Sequence, residues 1–316
     1  MQRPIVIVGP TGVGKSAVAV ELAKRLDAEI VSCDSMQVYR GAEILSQAPT
    51  VTQRREVPHH MVACIDPTRT FSVAEYRSLA IPAVEKQRAR GKSILIVGGT
   101  GLYLKVLTQG LCDAPPGDAR LRYRLQVECS DLGSMRLHNR LQKIDGPAAA
   151  RIHPNDTRRI IRALEVYTLT GKPISRWWQA QDVARPWGDM MVIGLTRERQ
   201  ELYERINARV LEMIYEQGVI NEVRRLLQQP LSQTVRQIHG LADLEGYLER
   251  DVSLPETMSV WQQRVRNYAR RQWTWFRRTP GLHWIEMLAT EPPSLTAERI
   301  LELVRDARVR PSDMEQ

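Results

Sequence analysis

Ile5-Val-Ile-Val-Gly-Pro-Thr-Gly-Val-Gly-Lys-Ser16 joins a short β-branched run to the pattern G-x-x-x-x-G-K-[ST], matched without a deviation. Ile5–Val8 is continuous and apolar, as a strand buried on both faces of a parallel sheet must be. From Lys15 to Leu26 the apolar positions fall at helical spacing. Strand, glycine loop and helix together predict a P-loop made of Gly9, Pro10, Thr11, Gly12, Val13, Gly14, Lys15 and Ser16. Glycines let successive backbone N–H groups curl around an anion, and the following helix points its positive end at it. Lys15 adds a mobile charge for the outer phosphate oxygens, and the Ser16 hydroxyl is a candidate Mg2+ ligand. The motif does not specify which diphosphate is bound.

Further strands are expected at Glu29–Ser32 and Ser93–Val97, the latter running into Gly98-Gly-Thr-Gly101, with a helix from Ser72 to Arg90 between them. This alternation implies an α/β fold: a P-loop NTPase-like parallel sheet flanked by helices. After Pro115-Pro-Gly117 the signal is helical to about Gln181, which predicts an all-helical insertion domain at 118–184 within a core of 1–117 and 185–316. Met190–Leu195 reads as the last strand, and long helical patterns run over Arg199–Gln228 and Pro255–Arg278. The closing residues Arg310–Gln316 are the one place where composition suggests disorder.

The chain has 316 residues, enough for about two domains, and a net charge of +9 that favours a polyanionic partner. Its four cysteines, Cys33, Cys64, Cys112 and Cys129, contain no Cys-x-x-Cys pair, so reduced buried thiols are expected rather than zinc or disulfides. Met1-Gln-Arg-Pro4 leads straight into the first strand, too short for a signal-peptide apolar region, and no stretch is long and apolar enough to span a bilayer. A cytoplasmic protein without a membrane partner is the expectation.

An ATPase would place an acid at the end of a neighbouring apolar strand; Ile94–Val97 is followed instead by Gly98-Gly-Thr100, which favours group transfer over hydrolysis. Asp34 closes the second strand and should face the P-loop crevice, where ligands sit in open parallel sheets. As a carboxylate there it suits a general base or a water-mediated Mg2+ contact, and equally an Asp capping the next helix. Arg158 and Arg162, four apart after an Asn-Asp-Thr helix start, share one face, with Ile161 and Leu164 on the buried side. They form a phosphate-tracking ridge or ordinary solvated surface. Trp261–Arg278 carries six arginines and no acid, interleaved with aromatics. That composition suits phosphate contact and base stacking, although Trp273 and Phe276 fit a core as well. His59-His60 puts two rings on opposite sides of an extended segment, a structural rather than a metal-binding arrangement.

In order along the chain, these blocks resemble the tRNA dimethylallyltransferase (tRNA isopentenyltransferase) family. They are Gly9–Ser16, Asp34-Ser-Met-Gln-Val-Tyr-Arg-Gly41, His59-His60 before Asp66-Pro67, and Val97-Gly-Gly-Thr-Gly-Leu-Tyr-Leu-Lys105. Arg151-Ile-His-Pro-Asn-Asp156, Arg158-Arg-Ile-Ile-Arg162, Gly171-Lys-Pro173 and Tyr268–Arg278 follow. The resemblance implies transfer of a dimethylallyl group from dimethylallyl diphosphate to the exocyclic amine of the adenosine 3′ to the anticodon, with Mg2+ as cofactor. It implies catalytic roles for Asp34, Lys15 and Thr100, and a channel admitting the flipped adenine at one end and the diphosphate at the other. It also implies tRNA contacts from Asp34, Ser35, Met36, Gln37, Thr100, Arg122, Arg158, Arg159, Ile160, Ile161 and Arg162, and from Arg270, Arg271, Gln272 and Arg277, in a monomeric enzyme.

The chain departs from the family pattern in three places. Ala42-Glu-Ile-Leu-Ser-Gln-Ala-Pro49 replaces Met-Asp-Ile-Gly-Thr-Ala-Lys-Pro, Gly240-Leu-Ala-Asp243 replaces Gly-Tyr-Lys-Glu, and Val265-Arg266 replaces Thr-Arg. A prenyltransferase acting on free AMP or ATP, a small-molecule kinase, and an RNA-binding protein with an idle P-loop are the competing readings. The first needs neither the helical insertion nor the arginine-rich helix, and intact Lys15, Ser16 and Asp34 argue against the last.

Overall fold

A computed structural model describes residues 3–180 and 190–309. The expected domain edge at 184/185 and the expected disorder at Arg310–Gln316 lie outside the described residues. Six parallel strands form one sheet in the order β3-β2-β4-β1-β5-β6: β1 Ile5–Val8, β2 Ala28–Ser32, β3 His59–His60, β4 Ser93–Gly98, β5 Met191–Thr196 and β6 Leu282–Glu286. The central strands β1 and β2 are buried at every position; β1 is accordingly a continuous apolar run, whereas β2 also buries Glu29, whose carboxylate meets His60, and Ser32. In register, Val8 stands beside Gly98 on one side and Gly194 on the other, so the loops leaving β1 and β4 open at the same edge.

Helices α1 Lys15–Leu26, α2 Val51–Glu56, α3 Val73–Ala89 and α4 Gly101–Gln109 follow the strands of the first half. Helix α3 starts as its sequence requires: the Ser72 hydroxyl accepts from the Glu75 amide, and the Glu75 carboxylate accepts from the Ser72 amide. After β5 come α10 Arg199–Tyr215, α11 Val219–Leu226, α12 Leu241–Leu248, α13 Leu254–Phe276 and α14 Pro293–Val309. The single helix expected over 199–228 is two helices, because Gly218 adopts φ 77° and breaks the pattern there. Nor is β5 the last strand. Leu282–Glu286 pairs on its far side as an edge strand whose residues are mostly half-exposed or exposed, so no continuous apolar run announces it.

The chain divides into two compact units, 1–108 with 185–316 and 109–184. The second contains α5 Ala119–Leu132, α6 Ser134–Ile144, α7 Gly146–Arg151, α8 Thr157–Thr170 and α9 Ile174–Gln179. Its own core includes Leu121, Leu125, Leu137, Leu141, Ile160 and Leu164. Of the four cysteines only Cys33 is buried; Cys64 is exposed and the other two are half-buried, which corrects the expectation of four buried thiols. Among the described residues no helix is long and apolar enough to cross a membrane.

Candidate active site

The P-loop curls because its glycines adopt backbone angles closed to other residues: Gly9 at φ 149°, Gly12 at 82° and Gly14 at 109°. Space compels glycine as well, since a Cβ on Gly9 would stand 2.5 Å from the Leu195 carbonyl oxygen. Lys15 folds back over the loop, its Nζ donating to the carbonyls of Gly9 (3.0 Å) and Pro10 (2.9 Å). Burial lowers its pKa to about 8, with the charge of Asp34 opposing the shift. Ser16, the next residue, is half-buried in the first turn of α1.

Asp34 follows β2, on the far side of β4 from the P-loop strand. Its Oδ1 accepts from the Met36 amide at 2.9 Å. Burial raises its pKa, while that hydrogen bond and the charge of Lys15 pull it back down. One Asp34 oxygen caps a turn and not the expected helix, since the next helix starts only at Val51, and the carboxylate still interacts with Lys15. The turn itself is pinned from β4. Thr100 N–H donates to the Cys33 carbonyl (3.1 Å), and the Thr100 hydroxyl oxygen accepts from the Ser35 amide (3.0 Å). Gly98 must lack a Cβ, which would stand 2.1 Å from the Cys33 carbonyl oxygen. Gln37 is held by the Ser32 hydroxyl and donates to the Gln47 carbonyl. Gln47, in the segment that departs from the family pattern, also accepts from the Thr11 hydroxyl at 3.4 Å.

Four residues here escaped the sequence reading as site residues. Tyr268 of α13 reaches the side chains of Thr100 and Gln272; burial raises its pKa, and the charge of Asp34 raises it further. The His239 ring packs on Tyr268 with centroids 4.7 Å apart, and burial, then Arg271 and Arg264, lowers the His239 pKa to about 4. Arg197, 7% exposed, donates through Nε to the Val13 carbonyl, and Arg205 donates to that of Gly12. An arginine near a loop thirteen strand-and-helix elements upstream carries no local sequence signal, whereas Tyr268 had one: it lies one helical turn before Gln272.

The residues expected to touch RNA separate into surface and interior. Arg270 and Arg271 are exposed on α13, Arg277 is exposed at its C-cap, and Arg158 and Arg159 are exposed on α8. Ile160 and Ile161 are 0% and 6% exposed in the core of the helical unit, so their side chains serve packing rather than RNA contact. Arg162 and Arg122 turn to one buried carboxylate: Glu165 Oε2 accepts from them at 2.7 and 2.9 Å, and Arg162 also donates to the Pro115 carbonyl. The Arg158–Arg162 ridge is thus an exposed arginine beside one engaged in an internal ion pair. Gln272, 5% exposed, is likewise an interior residue. Phe276 is core, and Trp273 packs against Trp284.

A β-strand, a glycine loop gripping its own lysine and a carboxylate at a nearby strand end define a P-loop α/β protein built to handle a phosphorylated substrate. The chain belongs to the IPP transferase family, whose model matches residues 37–279. It is 44% identical to the tRNA dimethylallyltransferase of Geobacter metallireducens over 286 residues, covering 90% of this chain and 92% of that one. A solved full-length tRNA isopentenylpyrophosphate transferase from Bacillus halodurans aligns with TM-score 0.71 and 37% identity, over 97% of this chain and 96% of that one. A eukaryotic dimethylallyltransferase solved acting on tRNA aligns with TM-score 0.81 and 26% identity, over 99% of this chain and 82% of that one.

Proposed function

We propose that this chain transfers a dimethylallyl group from dimethylallyl diphosphate to the exocyclic amine of the adenosine 3′ to the anticodon of tRNA, releasing diphosphate. The observation that carries the reading is the glycine curl of the P-loop with half-buried Lys15 folded over it, within reach of the charge of half-buried Asp34 at the β2 end. P-loop amides and Lys15 stabilise charge as it develops on the departing diphosphate, where such preorganised donors act most strongly. Arrival of the anion would draw Lys15 away from the Gly9 and Pro10 carbonyls. The adenine amine is a poor nucleophile, and Asp34 orients it and takes its proton once the new bond has made it acidic. Thr100 keeps the Asp34 turn at the strand end.

Mg2+ is part of the proposal. Among the described residues no three His, Cys, Asp or Glu side chains could together hold a metal. That suits an ion which takes few protein oxygens and draws its other ligands from phosphate and water. Ser16 would be its protein ligand, and the bound ion would supply further neutralisation of the leaving diphosphate. Arg158 and Arg159 in the helical unit, Arg270 and Arg271 on α13, and Arg277 at its C-cap would track RNA phosphates. Extraction of an adenine from a single-stranded loop costs only a few kcal/mol of unstacking. The reading places the protein in the cytoplasm, as a monomer, with its tRNA.

The test mixes protein, Mg2+, labelled dimethylallyl diphosphate and bulk tRNA, then digests the RNA and identifies the labelled nucleoside. Label in dimethylallyl-adenosine is expected. Label appearing only when AMP replaces tRNA would transfer the assignment to an adenylate prenyltransferase.

A further inference from the structure

Gln272 stands out because its chemistry is spent entirely inside the molecule. From near the C-terminal end of an arginine-rich helix its side chain points inward, where Oε1 accepts from the Thr11 amide at 2.8 Å and Nε2 donates to the Gly99 carbonyl at 2.9 Å. An N–H on one side and a carbonyl on the other allow only one orientation of the side-chain amide. The approach is close by construction. A Cβ on Gly99 would stand 2.2 Å from Gln272 Nε2, and a Cβ on Gly101 would stand 2.1 Å from Trp275 Nε1. Gln272 and Trp275 are three apart, one face of α13. Two glycines of Gly98-Gly-Thr-Gly101 therefore make room for this helix, and the third makes room for Cys33.

We propose that Gln272 is a positioning residue that clamps the first half of the P-loop to the end of β4, holding the loop in its anion-binding curl from the helix that carries the RNA-facing arginines. The proposal rests on the reading of the P-loop as the diphosphate site. The Thr11 amide is engaged by protein, so it is withheld from the ligand, and the loop enters binding already bent at Gly9–Gly12. Without the clamp the loop must be ordered by the diphosphate itself, and affinity falls by the cost of that ordering. Once the diphosphate is bound the loop is closed either way, so the chemical step is little affected.

Gln272→Met is the informative variant, since it keeps length and volume while removing both hydrogen bonds. Binding of inorganic pyrophosphate with Mg2+, binding of tRNA, and steady-state transfer are measured in the parent, in Gln272→Met and in Lys15→Ala. The expected result is pyrophosphate affinity weakened about tenfold in Gln272→Met, with KM for dimethylallyl diphosphate raised in parallel. Its kcat and tRNA affinity should stay within about twofold of the parent. Weakened tRNA binding with unchanged pyrophosphate binding makes Gln272 an RNA contact and overturns the proposal; parent-like values throughout make the clamp idle and overturn it too. If Lys15→Ala loses pyrophosphate while Gln272→Met keeps it, only the clamp fails. If Lys15→Ala binds pyrophosphate like the parent, the P-loop reading fails and takes the clamp with it. Should Gln272→Met not fold, amide hydrogen exchange in the parent decides: Thr11 must be protected before any diphosphate is added, and rapid exchange there overturns the proposal.

Discussion

Raising the pH from about 7 to about 9 should lower kcat/KM for dimethylallyl diphosphate about tenfold through Lys15 alone. Burial sets its pKa at about 8. A group with that pKa is roughly nine-tenths protonated at the lower pH and one-tenth at the higher, and kcat/KM reports ionisations of the free enzyme. The protonated ammonium is the form that receives the diphosphate, so the limb falls as pH rises. Bound diphosphate puts negative charge beside the ammonium and raises its pKa, so kcat should hold its plateau well beyond the point where kcat/KM declines. Initial rates with labelled dimethylallyl diphosphate at low, fixed tRNA measure kcat/KM, and rates with both substrates saturating measure kcat. Lys15→Arg serves as the control, because a guanidinium stays charged throughout the range even where its shape suits the loop poorly. Its profile should be slower and flat at the alkaline end. A parent profile that is itself flat, or the same limb in Lys15→Arg, refutes the assignment of that ionisation to Lys15.

Asp34→Asn keeps an acceptor for the Met36 amide and removes the base, so transfer should fall by about two to four orders of magnitude while tRNA affinity holds; near-parent single-turnover rates would remove Asp34 from the proton path. In the parent, kcat/KM should also decline on acidification through the raised pKa of Asp34, since its ionised form is the active one; the same acid limb in Asp34→Asn would assign that ionisation to another group. Glu165→Ala leaves two guanidinium groups and the Asp118 amide facing a vacated buried site, and should destabilise the helical unit by about 3–5 kcal/mol, read as lost hydrogen-exchange protection in α8. Arg158→Ala should weaken tRNA binding and reduce its salt slope by about one, without change in that protection. Equal salt slopes in variant and parent would return Arg158 to a solvated surface role.

The loop and the strands around it were legible because each rests on a local constraint. A parallel strand covered on both faces is apolar along its covered length, and Ile5–Val8 and Ile94–Val97 are. Edge strand β6 has no such constraint and left no comparable mark. The break at Gly218 was present in the sequence as a glycine, but helical spacing on both sides masked it. On α8 the period correctly put Leu164 inside. It also placed Arg162 on the outer ridge, and there it misled, because spacing cannot reveal that Glu165 and the Pro115 carbonyl draw that guanidinium inward.

By itself the sequence determined the phosphate-gripping loop, the alternation of strands and helices from β1 to β4, the helical insertion and the carboxylate at the β2 end. Each depends on residues adjacent in the chain or on a repeat within one element. Only the tertiary structure decided that half-buried Lys15 feels the charge of Asp34, that Arg197 and Arg205 support the loop from α10 and its entrance, and that Gln272 hydrogen-bonds the P-loop. Those facts depend on what stands across a few ångströms of space from a side chain, and the partners are distant in sequence: Thr11 and Gln272 are 261 residues apart. Helical spacing fixes the direction in which a side chain leaves its helix; packing decides what it meets there.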